Sequence, residues 1–328
     1  MTLAEKRQAG EVPKIVFKEF EGVRIQWEKG AWNFDHTQNG PVVIDTYSIW
    51  NPEHHAEIAE RLLNGETAAL YLMGNFGVAQ VRTRRNYNQS DAMFDSIKKR
   101  DRSQSLAAFV HPYDIADMVD FERLPGAYSG LRDASKRLSL YAGPMHLILP
   151  IKEENLPDLG KIREEKTASF FWIPGHTGYE GLYEKFRGRI DGAVLGGGSL
   201  NTHGQEPSYN TQQLKYEMGR HPDWQENVNF IIFDELAESF RIGRSHTQVS
   251  FVTNPPKVVR RGSVSEETIS QETGYPVVSD NPKLASSATP YDSVSNKDTD
   301  RKIKEALQMM ERYQAAISTG SKSSGPQI

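Results

Sequence analysis

One polar loop in the chain has the composition of a phosphate-binding loop. It runs from Gly196 to Thr211 (GGGSLNTHGQEPSYNT), and its first three glycines end a predicted strand just before Ser199 and Asn201. Glycines let the backbone approach a ligand closely and point its N–H groups at the ligand. A glycine-rich turn without a ligand explains the same spacing, because neither a GxGxxG pattern nor a P-loop is present. The loop alone leaves both interpretations open.

Basic residues cluster at two other places, and both clusters could bind an anion. The segment IKKRDRSQSLAAFV places four cations at the end of a predicted helix, and Arg260 and Arg261 end a later predicted strand. The four cations are Lys98, Lys99, Arg100 and Arg102. Arginine can grip a phosphate with two hydrogen bonds, and lysine acts on it as a point charge. A helix C-terminus also favours cations, so a structural role is an open alternative for the first cluster, as a surface role is for the arginine pair.

Other kinds of active site find less support in the sequence. There are no cysteines, which excludes disulfides, thiolate metal sites and cysteine nucleophiles. The nine histidines are scattered, and the adjacent His54 and His55 would point in different directions and make a poor metal pair. Neither an HExxH spacing nor a GxSxG motif is present, so we predict no metal site and no Ser-His-Asp triad.

The composition is that of an ordinary globular protein. The chain has 328 residues, of which 37% are hydrophobic and 25% are charged, enough for one large domain or two small ones. The formal net charge is −4, so contact with nucleic acid would need a local basic patch. Every apolar run is far shorter than the roughly 20 residues of a membrane span, and the charged N-terminus lacks the apolar core of a secretory signal. We therefore expect a soluble cytoplasmic protein that does not bind membranes.

The candidate residues must be positioned by a scaffold of strands and helices. Short apolar runs such as IVFKEF, VRIQW and PVVIDTYSIW predict strands from residue 15 onward. Asn51 and Pro52 then provide an N-cap and a first helical residue, and Ile58 and Leu62 lie on one face of the predicted helix. Further strands and helices follow up to about residue 270, several of them in strand-helix-strand order. This order predicts an α/β or α+β sheet domain.

The composition changes near residue 270, which predicts the domain boundaries. The segment TGYPVVSDNPKLASSATPYDSVSNKD is rich in Ser, Pro, Asp and Asn, as is typical of a disordered linker. A helix follows, since Ile303, Leu307, Met310 and Tyr313 recur at helical spacing. We expect a flexible tail at 1–14, a domain at 15–270 with extra N-terminal strands at 15–50, a linker at 271–297, a C-terminal helix at 298–318 and a tail at 319–328.

Six short motifs occur in a specific order between about residues 64 and 269. They are Phe76-Gly77-Val78, Lys98-Lys99-Arg100, GPMHLILP from Gly143, Ile173-Pro174, Ser199-Leu200-Asn201-Thr202-His203-Gly204 and Arg260-Arg261-Gly262. In this order the chain resembles the YrdC-like family, the threonylcarbamoyl-AMP synthases. The resemblance implies an α/β fold in which a twisted mixed sheet, flanked by helices, surrounds a large concave cavity lined by positive charge.

The resemblance also implies a chemistry. Family members bind ATP, bicarbonate and L-threonine, and they release pyrophosphate as they form an acyl-adenylate that is used in tRNA modification. The resemblance assigns Lys98 and Arg100 as the catalytic residues that hold the triphosphate, with any Mg²⁺ carried in by ATP. It assigns nucleotide binding to Ser199, Asn201, Arg260 and Thr247. Some relatives are also described as binding double-stranded RNA, which makes RNA a candidate partner.

The sequence departs from the family on the threonine side of the pocket. Leu72, Met73 and Gly74 stand where the family has its threonine-binding segment. Trp172 stands in place of an arginine, and His146 in place of a threonine. We therefore expect a rebuilt substrate pocket. Its predicted residues are Met73, Phe76, His146, Trp172 and His176.

Three functions are consistent with this pattern. The first is an enzyme that transfers a nucleotidyl group from ATP to a small carboxylate or amino acid other than L-threonine. The second is a true threonylcarbamoyl-AMP synthase with a divergent pocket. The third is a non-catalytic protein that binds a nucleotide or double-stranded RNA. We favour the first, because the phosphate side of the pocket is partly kept while the threonine side is changed.

Overall fold

A computed structural model describes most of the chain. The described residues are 16–34, 40–82, 87–99, 106–155, 166–187, 194–202, 205–280, 282–285, 287 and 293–319. Arg100 and His203 lie outside them, as do the tail predicted at 1–14 and all but the first residue of the tail predicted at 319–328.

The centre of the fold is one large, twisted, mixed sheet. Within the described residues its strands lie in the order β14 (Lys283–Leu284), β13 (Lys257–Arg261), β12 (Thr247–Ser250), β8 (Met145–Pro150), β9 (Thr167–Trp172), β7 (Ala107–Phe109), β10 (Val194–Ser199), β6 (Phe76–Arg82), β5 (Thr67–Tyr71), β11 (Phe230–Phe233), β4 (Val42–Ser48) and β3 (Gly30–Phe34). A separate hairpin is formed by β1 (Phe17–Phe20) and β2 (Val23–Gln26). β11 runs parallel to both β4 and β5, β7 is parallel to β9, and β8 is parallel to β12, whereas the central strands β10 and β6 are antiparallel.

Helices join the strands and flank the sheet. The α-helices are α1 (Pro52–Leu63), α2 (Tyr87–Lys98), α3 (Ala134–Leu138), α4 (Thr177–Phe186), α5 (Thr211–Arg220), α6 (Pro222–Asn227), α7 (Glu235–Ser239), α8 (Glu266–Thr273) and α9 (Ser293–Ser318), with 3₁₀ helices at Asp114–Asp117, Phe121–Arg123, Gly126–Arg132 and Glu153–Asn155. A mixed sheet flanked by helices is the predicted fold class, which is thereby confirmed. None of the helices in the described part of the chain combines the length and apolarity that crossing a bilayer requires.

Helix α1 forms as its sequence predicts. The side chain of Asn51 accepts a hydrogen bond from the backbone N–H of Glu53 at 3.0 Å, and Pro52 occupies the first helical turn. The apolar face formed by Ile58 and Leu62 is buried. Capping supplies a partner for a backbone donor that the helix itself leaves unpaired, while burial of the apolar face fixes the helix on the sheet.

Strand β11 joins parts of the chain that are far apart in sequence. It lies between β4 and β5, which are consecutive strands, and it pairs with each of them through parallel ladders. All four of its residues, from Phe230 to Phe233, are buried. A continuous apolar run is what a strand with two covered faces and two parallel neighbours requires.

The C-terminal helix α9 packs against the N-terminal part of the chain. The ring of Tyr313 lies edge-on to Phe20 with centroids 5.1 Å apart, and its hydroxyl donates to the carbonyl of Trp50 at 3.2 Å. Arg312 pairs with Glu21 of the β1–β2 hairpin at 2.7 Å. The helix therefore fastens the first hairpin to the body of the protein.

The segment predicted as a linker contains paired backbone in its described residues. Helix α8 ends at Thr273, Val278 forms an isolated bridge with Lys257, and β14 pairs with β13. The proposed boundaries of the domain, the linker and the tails stay predictions.

Candidate functional site

A cavity of about 430 Å³ lies over the central strands of the sheet. Its floor contains three small residues in register on neighbouring strands: Ala107 faces Gly197, and Gly197 faces Ala79. A Cβ atom at Gly197 would lie 2.5 Å from the carbonyl oxygen of Val78, so this position accepts only glycine without a shift of the backbone. Because these residues have small side chains or none, the space above the sheet is open to a ligand.

One end of the cavity is apolar and rich in aromatic rings. His146, Phe171, Phe109 and Leu195 are successive register partners on β8, β9, β7 and β10, and all four line the cavity. The rings of His146 and Phe171 are 4.8 Å apart. Leu195 and Ser199 lie four residues apart on β10, so the apolar end and the opposite polar end are about 13 Å apart.

The polar end is organised around the ammonium group of Lys98, at the end of α2. This group donates to Asn201 Oδ1 at 2.8 Å, to Ser199 Oγ at 3.2 Å and to the Ser199 carbonyl. Ser199 Oγ in turn donates to Asn201 Oδ1 at 2.7 Å, and Asn201 Nδ2 donates to the Gln205 carbonyl at 2.6 Å. Only 7% of Lys98 is exposed. A buried cation therefore holds the polar loop in place and gives this end of the cavity a positive charge.

Arg260 adds a second positive charge to the cavity lining from β13. Its Nε and Nη2 atoms donate to the backbone carbonyl of His246 at 3.2 and 3.0 Å. The imidazole of His246 is buried and donates from Nε2 to the Leu72 carbonyl at 2.6 Å. Burial, together with the charge of Arg260, lowers the pKa of His246 to about 3, so this ring is neutral at pH 7.

The turn from Leu72 to Asn75 brings a further polar group to the cavity. Met73 has a left-handed backbone with φ of 51°, and a Cβ atom at Gly74 would overlap the backbone of Arg244. Asn75 donates from Nδ2 to the Phe76 carbonyl at 3.0 Å. Its Oδ1 atom is buried and has no hydrogen-bond partner among the described residues. Leu72 and Asn75 both line the cavity.

The structure brings five of the predicted site residues to the cavity. They are Lys98, Ser199, Asn201, Arg260 and His146. The other predicted residues with described positions are buried around the cavity without lining it. These are Met73, Phe76, Trp172, His176 and Thr247. The role of each residue stays a prediction, as does that of Arg100, which lies outside the described residues.

Two of these residues use their polar atoms within the fold. Thr247 Oγ1 accepts from the N–H groups of Gly262 and Val264 at 3.1 and 3.0 Å, and it donates to the Val264 carbonyl at 2.7 Å. His176 bonds through Nε2 to Asp234 at 2.7 Å. Its Nδ1 caps α4 by accepting from the N–H of Tyr179. These bonds fix strand and helix ends.

The remaining predicted residues contribute packing around the cavity. Trp172 packs against Phe109 and His111, with ring centroids 5.1 and 4.6 Å apart. The carbonyl of Phe76 accepts from the N–H of Leu200, which anchors the loop that follows β10. These contacts support the shape of the cavity from behind its lining.

Sequence reasoning did not single out Asn75 or His246 as cavity residues. Asn75 directly follows the Leu72–Gly74 segment, and His246 directly precedes Thr247. The signal for Asn75 is its position directly after Gly74, since a Gly-Asn pair marks a turn that can turn a polar side chain inward. Among the described residues, no group of three or more His, Asp or Glu side chains could hold a metal ion.

The fold is similar to that of solved structures of Sua5. Sua5 from P. abyssi, crystallised with L-threonine, is 20% identical to this chain with a TM-score of 0.51; the match covers 70% of this chain and 60% of that one. A doubly substituted variant of P. abyssi Sua5 is 16% identical with a TM-score of 0.54, covering 86% of this chain and 98% of that one. YciO from E. coli is 14% identical with a TM-score of 0.45, covering 67% and 94%.

At this level of identity the comparisons establish the fold. No protein-family model matches the sequence, and no curated protein matches it significantly. The chain spans 60% of the length of the Sua5 that was crystallised with L-threonine. The resemblance read from six ordered motifs is therefore supported as a shared fold between this chain and Sua5.

Proposed function

We propose that this protein binds ATP and transfers its adenylyl group to a small carboxylate, or to the carbamate of an amine, with release of pyrophosphate. The single observation that supports this proposal is the loop of Ser199 and Asn201 held around the buried ammonium group of Lys98 at one end of the cavity. A buried ammonium group at the end of a cavity is suited to the negative charge of a phosphate chain.

The dimensions of the cavity suit a nucleotide. Its volume of about 430 Å³ is in the range of small-molecule sites. The rings of His146 and Phe171 lie together at the apolar side, with centroids 4.8 Å apart. Aromatic faces stack on nucleobases. A base on these rings would leave the phosphates to extend toward Lys98 at the polar end.

The cations of the cavity would then stabilise the negative charge that develops on the phosphates during the transfer. A carboxylate or carbamate oxygen attacks the α-phosphorus, the bond from this phosphorus to the bridging oxygen breaks, and pyrophosphate leaves. Positive groups placed beforehand around the phosphates stabilise the charge that builds up in such a transfer. Lys98 and Arg260 are the described residues suited to this role, and Mg²⁺ would arrive with ATP.

We further propose that the second substrate differs from L-threonine. P. abyssi Sua5 has been crystallised with L-threonine. In the present chain the corresponding segment is Leu72–Gly74, and Leu72 and His146 line the cavity where the family pattern has polar threonine-binding residues. A pocket that loses its hydroxyl partners loses its ability to select a hydroxyl-bearing substrate.

The test is a measurement of pyrophosphate release by the full-length protein. The protein is incubated with ATP, Mg²⁺ and bicarbonate, together with one member at a time of a panel of amino acids and small carboxylates. We expect release that depends on a member other than L-threonine, and that is lost in Lys98→Met. The control is Thr167→Val, which alters a buried hydroxyl outside the cavity lining.

The other outcomes separate the alternatives. Release that depends on L-threonine alone would make this a threonylcarbamoyl-AMP synthase with a divergent pocket. Absence of release with every panel member, combined with salt-sensitive binding of duplex RNA and no binding of a non-hydrolysable ATP analogue, would identify a binding protein without catalysis.

A further inference from the structure

Two hydrogen-bond acceptors in the cavity have no part in the proposed nucleotide contacts. They are Asn75 Oδ1 and His246 Nδ1, and both residues line the cavity. Both residues are also bonded to Leu72: the backbone carbonyl of Asn75 accepts from the Leu72 N–H at 3.0 Å, and His246 Nε2 donates to the Leu72 carbonyl at 2.6 Å. Both residues are thus held beside Leu72 at the lining of the cavity.

The hydrogen-bond partners decide which atoms are acceptors. A carbonyl oxygen can only accept, so the atom of Asn75 that bonds to the Phe76 carbonyl is the amide nitrogen, and Oδ1 is the atom left over. The same reasoning places the proton of His246 on Nε2, which faces the Leu72 carbonyl. Because the buried ring is neutral, its Nδ1 carries a lone pair. Asn75 Oδ1 is buried and receives no hydrogen bond from any described residue.

The charge around these acceptors restricts the group that they can bind. Among the described residues of the cavity lining, Lys98 and Arg260 carry positive charge, and the acidic residue, Glu206, is exposed. An ammonium group would be repelled in such a place, while an anionic group elsewhere on the ligand would be attracted. A buried acceptor left without a donor costs about 1–3 kcal/mol, which favours a ligand that supplies an N–H.

We propose that Asn75 Oδ1 and His246 Nδ1 bind an uncharged N–H group of the second substrate, in an amine, amide or urea, and that this substrate also carries an apolar part and a carboxylate. The apolar part faces Leu70 and Leu72, which line the cavity close to Asn75 in the sequence. This inference rests on the proposed function, because only that function makes the bound molecule a second substrate. Asn75 and His246 thereby become the residues that determine specificity.

The test compares ligands that differ in this group alone. Calorimetric titrations of the full-length protein use N-carbamoyl-L-leucine, which has uncharged N–H groups, and 4-methylpentanoate, which has the same chain and carboxylate without nitrogen. L-Leucine is titrated at pH 7.5 and 9.5. We expect N-carbamoyl-L-leucine to bind about 10-fold more tightly than 4-methylpentanoate. L-Leucine is expected to gain affinity as its ammonium group loses a proton.

Variants then assign the preference to the two residues. Asn75→Leu and His246→Phe should each reduce the difference between the two probes severalfold, whereas Thr167→Val should leave it unchanged. Thr167 is a suitable control because its hydroxyl is also buried and without a partner among the described residues, but lies outside the cavity lining. If both variants fail to fold, the comparison of probes in the unaltered protein still decides the question.

Separate titrations with a non-hydrolysable ATP analogue distinguish this inference from the proposed function. Binding of the analogue without any preference for the N–H probe overturns the inference and leaves the proposed function in place. A preference for the N–H probe without binding of the analogue supports the inference and overturns the proposed function. Equal affinity for the two probes, no binding of either, or tighter binding of L-threonine than of N-carbamoyl-L-leucine each overturns the inference.

Discussion

Two buried polar clusters in this molecule have similar chemistry and different surroundings. The Lys98 cluster, formed with Ser199 and Asn201, lines the cavity. The Asp234 cluster is formed by His176, Trp50, Ser48, Glu235 and Asp234, with His176 at 2.7 Å and the Trp50 indole N–H at 2.9 Å from the Asp234 carboxylate. Glu235 accepts from Ser48 Oγ at 2.7 Å.

The difference between the clusters lies in access. In the Asp234 cluster, the carboxylates receive hydrogen bonds from several elements of the fold, and none of its five residues lines the cavity. The residues of the Lys98 cluster are also bonded to one another, but they line the cavity and can be reached by a ligand. A buried charged residue is therefore evidence for a site only where a ligand can reach it. His176 has the residue type expected of a pocket residue, yet its bonds are those of a structural support.

The largest effect is expected from breaking the Asp234 cluster. Asp234→Ala should lower the free energy of unfolding by about 3–5 kcal/mol, since it leaves His176 and the Trp50 indole buried without their partner. Urea denaturation measures the loss. The control is Asp280→Ala, an exposed carboxylate for which we expect a change within about 0.5 kcal/mol. A stable variant that loses nucleotide affinity would reverse the roles that we give to the two clusters.

The next effect is expected from the Lys98 cluster. Lys98→Met should weaken binding of a non-hydrolysable ATP analogue by about 30-fold, or about 2 kcal/mol, because it removes a buried positive charge from the cavity. The loss of stability should be smaller than in Asp234→Ala. The matched control is Lys99→Met, since the neighbouring Lys99 side chain is 57% exposed. Equal affinity in the two variants would contradict the assignment of Lys98.

The pH dependence of stability should report on Glu235. Burial raises its pKa from 4.5 to about 7, so the native state holds a proton that the unfolded state releases between these values. This contribution is fully present below pH 4.5 and is lost as the pH rises through 7. Relative to the unaltered protein, Glu235→Gln should therefore gain roughly 4 °C in Tm between pH 5 and 8. Parallel melting curves at all pH values would disprove the shifted pKa.

The smallest effect is expected where α9 covers the Asp234 cluster. Tyr313→Phe removes the hydroxyl that donates to the Trp50 carbonyl at 3.2 Å and keeps the ring that packs on Phe20. We expect a loss of about 1 kcal/mol in the free energy of unfolding. Tyr216→Phe serves as the control, because Tyr216 is 62% exposed. A loss of nucleotide affinity in Tyr313→Phe would connect the two clusters.

The sequence predicts those features that depend on neighbours along the chain. Asn51 and Pro52 mark the start of α1, and the glycines before Ser199 mark the strand that ends in the polar loop. The mixed sheet follows from the order of motifs that resembles the YrdC-like family. Lys98 and the loop are about one hundred residues apart in the sequence, so no local pattern predicts that they meet. Only the resemblance to the family predicts that both contribute to one site.

The sequence pattern does not predict those features that depend on contacts between distant parts of the chain. The sequence His246-Thr247-Gln248 does not indicate that the hydroxyl of Thr247 bonds to Val264 while the adjacent His246 lines the cavity. Strand residues alternate between faces, and which face holds the cavity depends on the partners of the strand. The same holds for Asn75, because its unpaired acceptor is defined only by the three-dimensional arrangement of the surrounding atoms.

The position of β11 has a consequence for synthesis of the protein on the ribosome. β4 and β5 leave the ribosome early, but they cannot complete their pairing until β11, at Phe230–Phe233, has been translated. At about 5–20 residues per second, the two strands wait for several seconds to tens of seconds with one edge unpaired. Unpaired strand edges are the sites at which other chains attach. Nascent chains that stop short of β11 should therefore depend on chaperones, and those that extend past it should not.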